Sequence, residues 1–407
     1  MATTQKINMK LRLLLFCGSF CIVQYFAVGQ NKFNGRITDA ETGKLLKATV
    51  TVWNDNGKEI ELDGPTEYVV YLGKKRWYVD GKFSISSPEE FLHIEIRRGL
   101  ETLPLDTVIH FSKDAKENEF ILRRWTDMAG KGYMSGDSHV HFIRPESALL
   151  QMQAEDLHVV NLQTSDFTND VDLFTGTLNK NSTTEHFIYV GQEIRDWQLG
   201  HANLLNLKNI VAPLEPFGGI FLTESNPNLL LSPRLEESMK QGAANVWAHF
   251  SNLPGLESAV AFPLGLIDAI ELMTYDDPTK LPSHWAPWEY TEMPPEQFPP
   301  MRGMDLYYQW LNSGFRIPIT AGTDKMDNNI PVGSNRSYVQ TNGEVSYSSW
   351  IEGMKKGRGF ITNGPMLTFT VEDYQSGDSV SFHGHKTVRA KVKAESMLPF
   401  KIGRASC

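Results

Sequence analysis

Two histidines separated by a single residue, His139 and His141, have the spacing in this chain that most directly suggests chemistry. The surrounding run, residues 136–142, reads as a short β-strand, and side chains alternate along a strand, so both imidazoles face the same side. Neutral imidazoles side by side suit a first-row metal such as zinc. A second pair of this kind, His383 and His385, lies beside a predicted turn, and we interpret it as a chance occurrence. The strand-borne pair therefore needs further ligands before it predicts a metal site.

Four more potential ligands fall at or just past the ends of other predicted strands. Working residues of parallel α/β folds lie at the carboxyl ends of the strands, so histidines and carboxylates there would meet at one end of a sheet or barrel. Each one also has an ordinary explanation, as a solvated carboxylate, a loop cap, a core histidine or a turn cap, so the prediction depends on the combination. The four residues are Glu193, His201, His249 and Asp324.

The elements that would position these residues alternate between strands and helices after residue 124. Alternating β and α units predict an α/β fold with a parallel sheet or barrel. One helix is predicted at residues 232–241, with Ser232 as its N-cap, Pro233 at its first position and Gly242 after its end. Another is predicted at residues 145–152. The predicted strands of this region are 137–141, 158–162, 187–194, 244–249, 268–273 and 316–321.

The regions on either side of this α/β segment follow a different pattern. Residues 30–124 contain short alternating runs separated by Asn-Gly and Asp-Gly turns, which predicts a β-sandwich domain. Strands return in residues 366–407, but a sheet this small is not stable alone, so we expect a partial β segment that either packs on the barrel or belongs to a truncated domain. Within the α/β segment, the proline- and aromatic-rich stretch 277–300 is expected to form a lid or substrate wall, or to pack on the surface.

The N-terminus and the overall charge limit the possible partners and location. Residues 1–29 combine basic residues, a short apolar run and a small-residue site ending at Gly29, which predicts a secretory signal peptide rather than a retained anchor. We therefore expect a secreted or periplasmic protein without a stable membrane anchor. Cleavage would leave Cys407 as the only cysteine and thus no internal disulfide. A formal net charge of -9 without a Lys/Arg-rich run argues against a nucleic-acid partner and leaves a small-molecule substrate.

Residues 136–141 resemble the opening motif of the PHP (polymerase and histidinol phosphatase) superfamily, and specifically of its CehA/McbA family of secreted metallohydrolases. The resemblance covers residues 125–365 and implies a PHP-type distorted (β/α)7 barrel with a metal cluster at its mouth. Residues 35–39 and 42–46, before the barrel, resemble carboxypeptidase-regulatory-like sandwich modules, which indicates fold alone. Further blocks that occur in the order of the CehA/McbA family are 191–193, 200–203, 247–249, 322–324 and 356–365.

The resemblance also implies a set of metal ligands. The third metal of the superfamily needs three more histidines, but residues 142–150 contain none, and Phe167 and Met326 stand at the other two positions. We therefore expect two divalent ions at most, with zinc favoured and manganese or iron compatible with the mixed His and carboxylate set. Carried onto this chain, the first ion would be held by His139, His141, Glu193 and Asp324, and the second by His201, His249 and the shared Glu193.

The expected chemistry of such a site is hydrolysis. Two adjacent divalent ions lower the pKa of a shared water toward about 7 and make hydroxide available at neutral pH. The CehA/McbA resemblance implies an ester or carbamate-type substrate, and the wider superfamily implies a phosphoester as the alternative. A third hypothesis is a non-catalytic metal-containing protein that binds glycans or a cell surface, because structural metal sites are closed whereas catalytic ones keep a water position.

Three further residues are candidates for catalytic roles. Lys325, beside Asp324, and Arg336 could hold developing negative charge, although either cation could equally pair with a surface carboxylate. Glu271 lies in a predicted apolar strand, and a buried carboxylate there needs a partner. We therefore predict that Glu271 either orients a metal-binding histidine or forms a salt bridge within the barrel.

Overall fold

The computed structural model describes most of the chain between residues 31 and 399. The predicted signal peptide, the stretch 277–300, Phe167, His385 and Cys407 lie outside the described residues. Within the described part, no helix is long and apolar enough to cross a membrane. The described residues are 31–110, 117–165, 170–196, 198–212, 230–250, 255–274, 302–381, 383–384 and 387–399.

Residues 31–122 form two β-sheets that share one hydrophobic core. The strands are β1 (Asn31–Asp39), β2 (Ala48–Trp53), β3 (Tyr68–Tyr71), β4 (Lys74–Val79), β5 (Lys82–Ser87), β6 (Phe91–Arg97), β7 (Leu105–His110) and β8 (Asn118–Leu122). One sheet has the order β5-β1-β8 and the other β3-β4-β2-β6-β7. Alternate residues of both sheets, among them Phe33, Ile37, Val50 and Ile94, point inward and are almost completely buried, as period-two patterning requires.

The next region is built on a single sheet. Its strands are β9 (Tyr133–Val140), β10 (Val159–Thr164), β11 (Phe187–Asp196), β12 (Gly200–Leu205), β13 (Ala244–Trp247), β14 (Ala269–Met273), β15 (Ile319–Ala321), β16 (Arg336–Gln340) and β17 (Gly359–Thr362). The order is β15-β14-β13-β12-β11-β10-β9-β16-β17. Ser138 Oγ on β9 donates to Ala321 O on β15 over 3.0 Å, and Ala321 N donates to Ser337 Oγ on β16 over 2.9 Å. These bonds bring the edge strand β15 back to β9 and β16, so the sheet is nearly closed like a barrel.

The predicted α/β class is confirmed, but the sheet is mixed rather than uniformly parallel. The pairs β9–β10, β10–β11, β13–β14 and β14–β15 are parallel. In contrast, β12 is antiparallel to both its neighbours, as is β16. The reason at β11–β12 is local, because residues 197–199 are too few for the crossover that parallel strands need.

The α-helices of the described residues correct one sequence-based prediction. Helix α2 begins at Leu231, and the side chain of Ser232 does not cap it. Instead the backbone N–H groups of Leu231 and Ser232 donate to the carboxylate of Glu257 over 2.6 and 2.7 Å. A distant carboxylate therefore satisfies the first N–H groups of the helix and makes a local cap unnecessary. The helices are α1 (Pro145–Ala154), α2 (Leu231–Lys240), α3 (Ser258–Ala261), α4 (Met304–Asn312) and α5 (Tyr347–Lys355).

The N-terminal region contacts the segment after α1 and the loop between β15 and β16. Arg98 and Arg124 each place a guanidinium nitrogen 2.6 Å from a carboxylate oxygen of Asp156, which follows α1. On β3, Val70 N donates to Asn328 O over 2.7 Å, in the segment between β15 and β16. The N-terminal region therefore contacts the loop that also carries Asp324.

A small antiparallel sheet follows the barrel. Its strands are β18 (Met366–Val371), β19 (Tyr374–Gln375) and β20 (Ala390–Glu395), in the order β19-β18-β20. Met366 is buried in a cluster with Met128 and Tyr338, so the sheet is anchored to the barrel at its first residue. Most other side chains of β18 and β20 are exposed or half-buried.

Candidate metal centre

Six side chains meet at one end of the barrel-like sheet, and they are the six that the sequence singles out as ligands. The parallel strands β9, β11, β13 and β15 end there, and the antiparallel strand β12 begins there, so residues at those positions converge. All six side chains are at least nine-tenths buried. The residues are His139 on β9, His141 just after it, Glu193 on β11, His201 on β12, His249 after β13 and Asp324 after β15.

The six side chains form three overlapping groups that could each hold a metal ion. In each group the nitrogen and oxygen donor atoms lie within 4.8 Å of one another. Among the described residues, the groups of this kind draw only on these six side chains. The groups are His139, His141 and Glu193; His139, His249 and Asp324; and Glu193, His201 and His249.

The two carboxylates lie between the histidines and face them with both oxygens. Asp324 Oδ1 is 3.3 Å from His139 Nε2, and Asp324 Oδ2 is 3.3 Å from His249 Nε2. Glu193 Oε2 is 3.2 Å from His141 Nε2, and Glu193 Oε1 is 3.2 Å from His201 Nδ1. Each carboxylate can therefore face two imidazoles at once.

Hydrogen bonds on the far side of two histidines fix which ring nitrogen points into the cluster. His139 Nδ1 lies 3.0 Å from Glu271 Oε2, and His141 Nδ1 lies 3.0 Å from the carbonyl oxygen of Gln163. Both partners are acceptors, so in the neutral rings both Nδ1 atoms carry the hydrogen. Both Nε2 atoms then present lone pairs to the cluster, as metal-binding histidines do.

The inward-facing atoms therefore fit a cation. His139 Nε2 and His141 Nε2 are 2.9 Å apart, and carboxylate oxygens of Glu193 and Asp324 surround them. With neutral rings this is a cluster of acceptors without a hydrogen to share, which is repulsive unless a proton or a metal ion enters it. Glu193 Oε1 lies 3.2 Å from His201 Nδ1 and 3.8 Å from His249 Nε2, so this oxygen also faces two imidazoles.

The charged groups around the cluster also favour a bound cation. Burial disfavours a charged His139, but the carboxylates of Glu271, Asp324 and Glu193 outweigh it and raise the pKa of His139 to about 10. Burial and the nearby Arg195 guanidinium lower the pKa of His201 to about 3, which keeps this ring neutral. For Asp324, the neighbouring histidines outweigh burial and hold the pKa below its usual range. The centre thus attracts positive charge while offering ionised carboxylates and a neutral imidazole.

Two of the six residues occupy unusual backbone conformations. His249 and Asp324 have φ angles of +41° and +46°, in the left-handed region that side chains other than glycine rarely adopt. Strain of this kind persists where the surrounding structure enforces it, and it concentrates at functional sites. Close packing adds to the constraint, because a Cβ on Gly322 would lie 2.6 Å from His139 Cβ and 3.0 Å from His139 N. Only glycine fits beside the His139 backbone.

The three predicted catalytic side chains have different surroundings. Glu271 contacts His139 Nδ1 and so matches the first of its two predicted roles, that of orienting a histidine. Lys325 donates through Nζ to the carbonyl oxygens of Asp327 and Ile330, each over 2.7 Å. These contacts give Lys325 a structural role in its own loop.

Arg336 is likewise engaged by the backbone. Its Nε donates to Gly333 O over 2.5 Å, and its Nη1 donates to Glu155 O over 3.0 Å. Both partners are main-chain carbonyls at the junction of α1 and the β15–β16 segment. These hydrogen bonds tie Lys325 and Arg336 to backbone carbonyls and give no support to their predicted role in holding negative charge.

Sequence reasoning missed two polar side chains of the centre. Arg195 Nε lies 3.2 Å from Glu193 Oε2, and Asn203 Nδ2 donates to Glu271 Oε2 over 3.4 Å. Each stands two residues after a predicted ligand on the same strand, Arg195 after Glu193 and Asn203 after His201. Strand alternation places such pairs on one face, so extending each ligand position by two residues would have found both.

Comparison with known proteins gives weak matches. No protein-family model and no curated protein matches the chain. Among solved structures, it is similar to a two-domain protein containing a predicted PHP-like metal-dependent phosphoesterase from Bacteroides vulgatus ATCC 8482, with 16% identity and a TM-score of 0.36. That match covers 57% of this chain and 65%, just under two thirds, of the other. A second match is PsfC from Pseudomonas syringae PB-5123, with 15% identity, 55% and 90% coverage and a TM-score of 0.35.

Proposed function

We propose that this protein is a secreted or periplasmic metal-dependent hydrolase that acts on an ester or carbamate-type substrate. The observation that carries the proposal is the convergence of four histidines and two carboxylates whose acceptor atoms face one another in a buried centre. Buried acceptors in this number need a cation, and four neutral or ionisable imidazoles with two carboxylates suit zinc, with manganese or iron as the alternatives.

The chain would hold two divalent ions, and the two carboxylates would serve both positions. When bound, such ions lower the pKa of a coordinated water toward about 7 and polarise the oxygen of the scissile group. Glu271 orients His139 through Nδ1, and the carbonyl of Gln163 orients His141 in the same way. Arg195 balances the charge of Glu193 and limits how far its carboxylate can turn.

The contacts of Lys325 and Arg336 support an ester or carbamate over a phosphoester, and Arg195, the cation beside the cluster, pairs with Glu193. Phosphoryl transfer needs cationic groups or metal ions around the phosphoryl oxygens. The two predicted candidates, Lys325 and Arg336, donate instead to backbone carbonyls. A phosphoesterase remains the alternative function, because two ions alone can clamp a phosphoryl group.

Metal analysis and hydrolysis assays on the purified full chain test the proposal together. We expect two equivalents of a divalent metal and hydrolysis of 4-nitrophenyl acetate that exceeds that of 4-nitrophenyl phosphate and is lost on chelation. Faster aryl phosphate hydrolysis would support the phosphoesterase alternative. Bound metal without hydrolysis of either substrate would support the metal-containing binding protein. Absence of bound metal would refute all three hypotheses.

The extracellular location is tested separately. Expression of the full chain in a Gram-negative host, followed by fractionation and N-terminal sequencing, should yield a processed protein that begins at Gln30, as the predicted cleavage after Gly29 requires. Retention of residues 1–29 on a cytoplasmic product would refute the secreted assignment. Neither result would affect the metal centre.

A further inference from the structure

A buried carboxylate outside the six ligands joins two parts of the metal centre. Asp137 lies on β9, two residues before His139, and is completely buried. Its Oδ1 accepts from His139 N over 3.1 Å and from Thr323 N over 3.0 Å. Its Oδ2 accepts from Thr323 Oγ1 and from Gly333 N, each over 2.8 Å. Four donors therefore converge on one side chain.

These donors belong to segments that are far apart in the sequence. One is on β9, and the others lie near the two ends of the loop that connects β15 to β16, residues 322–335. Asp324 directly follows the doubly bonded Thr323 in this loop. Asp137 thus connects the strand that carries His139 to the loop that carries Asp324.

The other side of Asp324 is anchored as well. His141 N donates to Lys325 O over 2.9 Å, and Lys325 Nζ closes its own loop on the carbonyls of Asp327 and Ile330. Asp324 therefore sits between two anchors, Thr323 and Lys325, and both tie it to the His139–His141 strand. These anchors explain how an aspartate keeps a left-handed backbone with φ of +46°.

The chemistry at Asp137 specifies a carboxylate. All four groups that face it are donors, and a carboxylate is the side chain that accepts at both oxygens. An amide would turn its NH2 group toward one pair of donors. Thr323 Oγ1 could reverse its role and accept, but Gly333 N–H could not, so an asparagine would leave a donor facing a donor in a buried place.

We propose that Asp137 is a positioning residue that holds Asp324 at the correct distance from His139 and His249, and so sets the metal affinity of the centre. This inference rests on the proposed function, because it needs a metal to bind. A positioning role for Asp137 differs from a general stabilising role in one respect. If Asp137 acts through Asp324, replacing Asp137 has no further effect on metal binding once the Asp324 carboxylate has been removed.

A double-mutant cycle on the full chain tests this distinction, with Zn2+ affinity measured by competition with a chromophoric chelator. We expect Asp137→Asn to weaken binding of the more weakly held ion about 10- to 100-fold, the usual effect of removing a group that orients a ligand. In an Asp324→Ala background, the same substitution should weaken binding further by less than about twofold, because coupled positions are not additive.

Two threonine variants provide the matched comparison. Thr323→Val removes the hydroxyl donor to Asp137 at nearly constant shape and should weaken Zn2+ binding in the same direction as Asp137→Asn. Thr323→Ser keeps the hydroxyl and should bind like the wild type. If Asp137→Asn does not fold, as judged by circular dichroism, Thr323→Val replaces it in the double-mutant cycle with Asp324→Ala.

The possible outcomes separate this inference from the proposed function. Wild-type Zn2+ affinity in both Asp137→Asn and Thr323→Val would overturn the positioning role while leaving the metal centre intact. Equal losses with and without the Asp324 carboxylate would also overturn it, since the effect of Asp137 would then not pass through Asp324. If the wild-type chain binds no Zn2+, the proposed function fails and this inference fails with it.

Discussion

Replacing Glu271 with glutamine is the substitution whose effect the structure defines most closely. The carboxylate is fully buried, accepts from His139 Nδ1 over 3.0 Å and from Asn203 Nδ2 over 3.4 Å, and leaves Oε1 without a hydrogen-bond partner among the described residues. Glu271→Gln keeps the shape and one acceptor oxygen but removes the negative charge beside His139. The ring should keep its tautomer and become a weaker ligand.

The expected loss of metal affinity in Glu271→Gln follows from replacing a charged hydrogen-bond acceptor with a neutral one. A buried hydrogen bond to a charged group contributes about 1.5–3 kcal/mol, and a neutral one about 0.5–1.5 kcal/mol. The difference, about 1–1.5 kcal/mol, corresponds to about a tenfold loss of metal affinity. Because the Glu271 carboxylate contributes most to raising the pKa of His139, the substitution should lower that pKa as well.

Zn2+ titration of the full chain against a competing chelator measures this loss. Glu101→Gln is the matched control, since Glu101 is another buried carboxylate but bonds to Tyr338 Oη and Met128 N, residues outside the cluster. We expect the affinity of Glu101→Gln to match that of the wild type. An affinity of Glu271→Gln within about twofold of the wild type would refute the reasoning that this carboxylate orients and polarises His139.

Three further predictions concern protons, packing and the helix cap. Because the carboxylates raise the pKa of His139 to about 10, Zn2+ should displace a proton near pH 7 and bind more tightly as pH rises toward that value, which calorimetry in buffers of different ionisation enthalpy detects. Gly322→Ala should lower the free energy of unfolding by about 1–3 kcal/mol and weaken Zn2+ binding, because its methyl would meet His139. Glu257→Ala should lower the urea-derived free energy of unfolding by about 1–3 kcal/mol through the start of α2, with unchanged Zn2+ affinity.

The raised pKa of His139 also predicts how the stability of the metal-free protein, kept in chelator, changes with pH. The pKa of His139 is raised in the folded chain, so its contribution to stability is fully present below about pH 6.5, the unfolded value. That contribution is lost as pH rises through about 10. Burial lowers the pKa of Lys325 to about 8, which acts in the opposite direction over part of this interval, so the test is the difference in stability between the wild type and His139→Gln in chelator. A difference that grew as pH rose would contradict the assignment of the proton to His139.

The convergence of the six candidate ligands could be predicted from sequence because strand ends are local features. His139 and His141 share a face by alternation alone, and Glu193 and Asp324 follow short apolar runs that read as strands. What the sequence could not show was the antiparallel course of β12, which brings His201 in at the start of its strand rather than at the end. His201 still lies at the same end of the sheet as the other candidate ligands.

Residues whose roles depend on distant partners were harder to predict. Lys325 follows the candidate ligand Asp324, and Arg336 begins the strand β16. Only the path of the β15–β16 loop shows that the donors of both cations face backbone carbonyls. Ser232 has the sequence of an N-cap, yet Glu257, 25 positions away, takes that role. Asp137 stands in the motif itself, but its hydrogen bond to Gly333 spans 196 positions and has no local signal.

Metal content of the purified full chain, compared between the wild type and His139→Ala, tests the central claim most directly. His139 belongs to two of the three ligand groups, so its removal should leave a chain that keeps its circular dichroism spectrum but loses bound metal and hydrolytic activity. We expect about two divalent ions per wild-type chain, the number that two carboxylates shared between histidines suit. A wild-type chain without bound metal, or a His139→Ala chain with full metal content and normal turnover, would contradict it.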